Sequence, residues 1–240
     1  MSGSFLKRIS QWNALAIAAG VLLAFSMVLG GASRENLLPV AVIELLALPV
    51  LGLALVRLVR DQIWKDHLFL LGLAACAMAL PLIQLAPLPF GLWSSLPGRE
   101  QAVLALDLAG VSPSWLPLSL TPDRTWQAFL ALLPPVAMLL AALTLDRVTV
   151  SRLVWGVLAF VALSIVLGTL QITLDSRTFY PWDTTNFGSL VGFFANRNHM
   201  ATLCLIALPF AAALAGSIDQ YAGFGEVGYR LPGGAGIDRD

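Results

Sequence analysis

Four consecutive polar side chains, Asn196, Arg197, Asn198 and His199, head an apolar run that continues through Leu203, Leu205, Ile206 and Phe210 to Gly216. A guanidinium stays charged and grips phosphate oxygens in a fork, so Arg197 is suited to holding an anionic group. Asn196 and Asn198 add amide donors, and His199 can shuttle a proton near neutral pH. A charge inside a membrane-length segment costs roughly 2.5 kcal/mol or more on insertion scales, so it is usually placed for a purpose. Each residue also has a plainer role. Arg197 can be neutralised by Glu44, which lies at similar depth in another apolar run, as a structural ion pair. Asn196 and Asn198 can bridge neighbouring helices, and His199 can be a packing residue.

The other candidates are Glu44 as a base, Gln84 as a polar group near the end of an apolar run, and Arg124 and Arg177 as cations flanking such runs. The plainer reading makes Glu44 a paired or protonated carboxyl and the two arginines solvated loop charges. With two His and no Cys or carboxylate cluster, no metal site is expected, and no cofactor is implied.

These residues must be held by membrane helices. The 240 residues are 58% hydrophobic and 12% charged, against about 25% charged in soluble domains. The formal net charge is zero and there is no basic patch, which argues against a nucleic-acid partner. Cys76 and Cys204 sit in apolar runs and read as small hydrophobes. Apolar runs near the roughly 20 residues needed to cross the hydrocarbon core predict spans over 13–32, 37–59, 68–86, 125–145, 152–174 and 190–216. The expected fold is all-α: a polytopic transmembrane helical bundle of about six spans. Lys7 and Arg8 followed by apolar sequence could mark a signal peptide, but the run is long, so an uncleaved first span is expected. Pro49 and the Pro134-Pro135 pair predict kinks. Residues 98–108 read as a short amphipathic helix lying on the membrane surface, flanked by Trp93 and Trp115. The Trp side chains read as interface anchors. Residues 217–240, rich in Gly and Pro, read as a disordered polar tail after a membrane domain over 1–216.

Lys and Arg favour the cytoplasmic side. With the N-terminus inside, Lys7, Arg8, Arg57, Arg60, Lys65, Arg147 and Arg152 fall inside, and Arg34, Arg99, Arg124 and Arg177 fall outside. That orientation puts Glu44, Gln84, Gln127, Gln171 and the polar group at 196–199 toward the outer ends of their spans, with the inner halves nearly free of polar groups. A polar cavity open to the outer face is expected, roofed by the links 87–124 and 175–189.

Gly192-x-Phe194-x-Asn196-x-Asn198-x-x-Ala201 at the head of a membrane helix resembles the O-antigen ligase family, which includes related O-antigen polymerases and other lipid-linked glycan transferases. Gln84-Leu85-Ala86-Pro87-Leu88-Pro89 with Leu92-Trp93, and Pro117-Leu118-Ser119-Leu120-Thr121-Pro122 with Thr125, agree with it in order. The resemblance implies transfer of an undecaprenyl-diphosphate-linked glycan at the periplasmic face of a bacterial inner membrane. The acceptor would be lipid A–core for a ligase, or another glycan for a polymerase. No metal is implied. Arg197 is the motif residue carried over as a diphosphate contact. Family members often have a basic residue shortly before the motif glycine, where this chain has Ser189, Leu190 and Val191. They also place Arg and His residues in a large periplasmic loop beyond the matched portion, so this chain is expected to correspond to the N-terminal part of a longer pattern. The competing expectation is a non-catalytic transporter-like or lipid-binding bundle, or an inactive fragment.

Overall fold

The structure, a computed structural model, describes residues 2–31, 37–174, 177–184 and 187–227, with side chains left out for 2–13, 37 and 217–227. The chain divides into two compact units: Met1–Gly30 with Arg34–Val150, and Gly31–Ser33 with Ser151–Asp240.

The first unit carries α1 (Ser2–Leu29), α2 (Leu37–Arg60), a 3-10 turn (Ile63–Asp66), α3 (Leu68–Gln84), β1 (Pro87–Pro89), α4 (Phe90–Ser94), α5 (Glu100–Leu108), β2 (Trp115–Pro117), α6 (Pro122–Ala131) and α7 (Leu133–Thr144). Its core is a packing of α1, α2 and α7. Leu15, Ala19 and Leu22 of α1, Ala47, Val50 and Ala54 of α2, and Ala137, Leu140 and Ala141 of α7 are buried. These sit at helical spacing on one face of each helix, and the alanines let the backbones approach closely. Arg57, near the C-terminal end of α2 and one of the charges expected on the inside, is also buried. The second unit carries most of α8 (Arg147–Leu174), a 3-10 turn (Arg177–Phe179) and α9 (Arg197–Val227).

Among the described residues, four helices are long and apolar enough to cross a membrane: Leu38–Arg60, Pro122–Thr144, Arg147–Leu174 and Arg197–Gly216. Ala14–Leu29 and Leu68–Gln84 are shorter apolar helices. The chain is thus mostly helical and compatible with a multi-pass membrane protein.

Several boundaries differ from the sequence expectation. The apolar residues 190–195 are loop, and α9 begins only at Arg197. The polar group therefore starts the helix instead of lying one to two turns inside it. The helix expected from 125 begins at Pro122, and its break falls at Leu132, between α6 and α7. The break precedes Pro134-Pro135 because a proline disfavours helix in the residue before it and fits the first turn of the next helix. Two three-residue strands pair antiparallel, with Leu88 opposite Leu116. Of the disordered tail expected over 217–240, residues 217–227 continue α9 as helix, and those from 228, like the turn expected at 33–36, lie outside the described residues.

Asp146 caps α8. Its carboxylate accepts from the Thr149 backbone N–H (3.1 Å) and hydroxyl (2.6 Å). The Thr149 hydroxyl, then its N–H, hold the carboxyl below its ordinary value. A depressed carboxyl contributes stability above its unfolded value and loses it as pH falls through the folded one. Asp146→Ala is expected to cost about 1 kcal/mol at neutral pH, measured by thermal unfolding in detergent. The difference from wild type should vanish once the pH is below both values.

Candidate functional site

In the second unit, α8 presents one buried stripe: Val161, Ser164, Gly168 and Gln171. The spacing of three, four and three residues is one helix face. Leu190 lies over Gly168. Gln171 is fully buried and every bond its amide can make is made. Its Nε2 donates to the carbonyls of Phe179 (2.9 Å) and Gly192 (2.8 Å). Its Oε1 accepts from the N–H groups of Val191 (3.2 Å) and Gly192 (2.9 Å). One side chain thus does for Gly192 what a neighbouring strand would do, holding both its N–H and its C=O.

Gly192 has φ +59°, and a Cβ there would stand 2.8 Å from the Ser164 carbonyl oxygen. The site admits only glycine without a shift of backbone. Further clamps follow along the loop. Trp182 Nε1 donates to the Phe193 carbonyl (2.9 Å), the Thr184 hydroxyl to the Ala195 carbonyl (2.8 Å), and the Ala195 N–H to the Gly31 carbonyl (2.8 Å). The Phe193 ring stacks on Phe160 at 5.0 Å between centroids.

This scaffold delivers the polar group to the head of α9. Asn196 is its N-cap: Oδ1 accepts from the Asn198 N–H at 2.8 Å, and its carbonyl from the His199 N–H at 3.1 Å. Arg197, Asn198 and His199 are exposed, while Met200 turns back into the core. Among the described residues, neither the Arg197 N–H nor its guanidinium has a hydrogen-bond or ion-pair partner. A helix N-terminus carries unpaired N–H groups and a partial positive charge. Beside the exposed guanidinium, this is an arrangement suited in principle to an anion. His199 stands edge-on to the Phe194 ring, 6.2 Å between centroids. Arg177 is exposed on the same unit, with its guanidinium 5.3 Å from the Phe187 ring centroid.

The other candidates belong to the first unit. Glu44 is half-buried on α2; Gln84 and Arg124 are exposed. The two further motifs are brought together there. The Leu118 N–H donates to the Ala86 carbonyl (3.0 Å) and the Ser119 N–H to the Gln84 carbonyl (2.7 Å). The hydroxyls of Ser119 and Thr125 are 2.7 Å apart. Gln84 thus contributes its backbone to this junction. Trp93 is no interface anchor: it is 3% exposed, and its Nε1 donates to the Pro117 carbonyl at 2.8 Å. Among the described residues no group of His, Cys, Asp and Glu could hold a metal ion.

Sequence reasoning kept Gln171 as one of several outer polar groups and did not see its role as a clamp. The available signal was a lone amide on the small-residue stripe of an otherwise apolar helix. No family model, curated protein or solved structure matches the chain.

Proposed function

We propose that the chain takes part in glycan transfer from a polyprenyl-diphosphate carrier at a bacterial inner membrane, as the resemblance to O-antigen ligases implies. Lipid A–core, or another glycan, would be the acceptor. The observation that supports this reading best is Arg197, exposed and without a described partner at the capped head of a membrane-length helix. There it would hold the diphosphate leaving group with the Arg197 N–H and the positive end of α9. Such contacts strengthen as charge develops on the departing phosphate, which is where they lower a barrier. His199, two residues on and exposed, would accept or return the acceptor proton. Asn198 would add an amide donor, and Asn196 would hold the helix start in register. The distribution of Lys and Arg supports a cytoplasmic N-terminus, which puts the head of α9 on the periplasmic side.

The test is complementation of a ligase-deficient Gram-negative strain, scoring O-antigen on lipid A–core by gel. The chain is expected to restore the ladder. Arg197→Ala, at equal membrane level, is expected to lose at least about tenfold, the worth of one charge-assisted phosphate contact. An equal ladder from Arg197→Ala would make Arg197 structural. No ladder from the wild-type chain would contradict the ligase reading, and restored chain length in a polymerase-deficient strain would transfer it to polymerisation.

A further inference from the structure

The long link of the first unit holds a buried cation beside an apolar cavity. Arg99, the residue preceding α5, is 8% exposed. Its Nη2 donates to the Leu118 carbonyl, and its guanidinium lies 4.7 Å from the Trp93 ring centroid. Its Nη1 is buried with no hydrogen-bond partner among the described residues. Glu100 and Asp107, the acids of α5, are exposed, and no described carboxylate forms an ion pair with Arg99. A buried cation without a counter-ion is costly to keep.

Next to it is a cavity of about 320 Å³ whose lining includes Trp93, Ala102, Leu106, Leu116 and Leu120. The one hydroxyl in its wall, Ser119, is already bonded to Thr125. The lining is therefore mostly apolar and suits hydrocarbon better than a sugar. Arg99, Ala102 and Leu106 stand at i, i+3 and i+7, so the cation ends the α5 face that walls the cavity. Trp93 joins the two, underlying the guanidinium and lining the cavity. On the far side of α5, Leu104 and Leu108 are exposed.

We propose that this is a binding site for one anionic phospholipid of the surrounding bilayer, with its phosphate on Arg99 and the end of an acyl chain in the cavity. The phosphate supplies the counter-ion that no described carboxylate provides, and a small displacement of α5 opens Nη1 to it. The site is built from first-unit residues alone and stands whether or not the glycan-transfer reading does.

The test is native mass spectrometry of the purified full chain with phosphatidylglycerol against phosphatidylcholine of the same acyl chains. Wild type is expected to retain one phosphatidylglycerol, preferred by at least about fivefold, the worth of one basic residue toward an anionic lipid. Arg99→Gln should abolish the preference and Arg99→Lys keep part of it. Ala102→Trp, which fills the cavity and leaves Arg99 in place, should reduce retention of both lipids. An unchanged preference in Arg99→Gln, or wild-type retention in Ala102→Trp, would overturn the proposal. If Arg99→Gln does not fold, Ala102→Trp decides. Displacement of phosphatidylglycerol by a short prenyl phosphate at lower concentration would assign the site to a different amphiphile, and would also overturn it.

Discussion

Gln171→Leu is expected to unfold the loop over residues 187–195 while leaving α8 helical. The substitution keeps the buried volume roughly constant and removes four hydrogen bonds at once. Each backbone group left buried and unpaired costs about 1–3 kcal/mol. Water entering the opened loop offsets part of that, so a net loss of at least about 3 kcal/mol is expected. Hydrogen exchange of the purified protein should show protection lost at Val191 and Gly192, with the middle of α8 unchanged. Gln171→Glu keeps the acceptor and removes the donors, so its loss should be intermediate. Wild-type protection in Gln171→Leu would mean that the loop is held by its aromatic clamps alone.

Gly192→Ala carries the second large effect. The left-handed backbone costs an L-residue about 1–2 kcal/mol. The added methyl also meets the Ser164 carbonyl oxygen and the Met200 sulfur at 2.8 and 3.1 Å. Backbone cannot yield as a side-chain tip can, so a total near 2–4 kcal/mol is expected. Gly188→Ala isolates the first part: its φ is +78°, but nothing stands within 4 Å of the added Cβ. Thermal unfolding should therefore rank Gly192→Ala well below Gly188→Ala. Equal midpoints would mean that the loop backs away from Ser164 at little cost.

The apolar helices were legible because a run of Leu, Ala and Val has few alternatives in a bilayer. The start of α9 was not, because Leu190, Val191, Phe193 and Phe194 are as apolar as a span. In the fold they are loop, with Leu190 over Gly168, the Val191 N–H on Gln171 and Phe193 stacked on Phe160, and hydropathy does not distinguish the two. The better signal was Asn196, a residue type that favours the N-cap, placed directly before a continuous helical run. The amide of Gln171 was conspicuous in sequence, yet its partners lie 8 to 21 residues away, a relation that only the folded loop supplies. Arg99 and Trp93 read as surface residues of a link. Their burial follows from the pairing of β1 with β2, which draws Pro117 and Leu118 over them. Arg197 was recognised from its type alone, and its exposure at the head of α9 is what the fold adds.

The most direct measurement is binding of a fluorescent polyprenyl diphosphate to the purified full chain in nanodiscs, for wild type, Arg197→Ala and Arg197→Lys. Saturable binding is expected that weakens about tenfold or more in Arg197→Ala and is partly kept in Arg197→Lys, whose ammonium lacks the fork. Circular dichroism should confirm that all three are equally helical. Wild-type affinity in Arg197→Ala would contradict the claim that the head of α9 holds the diphosphate.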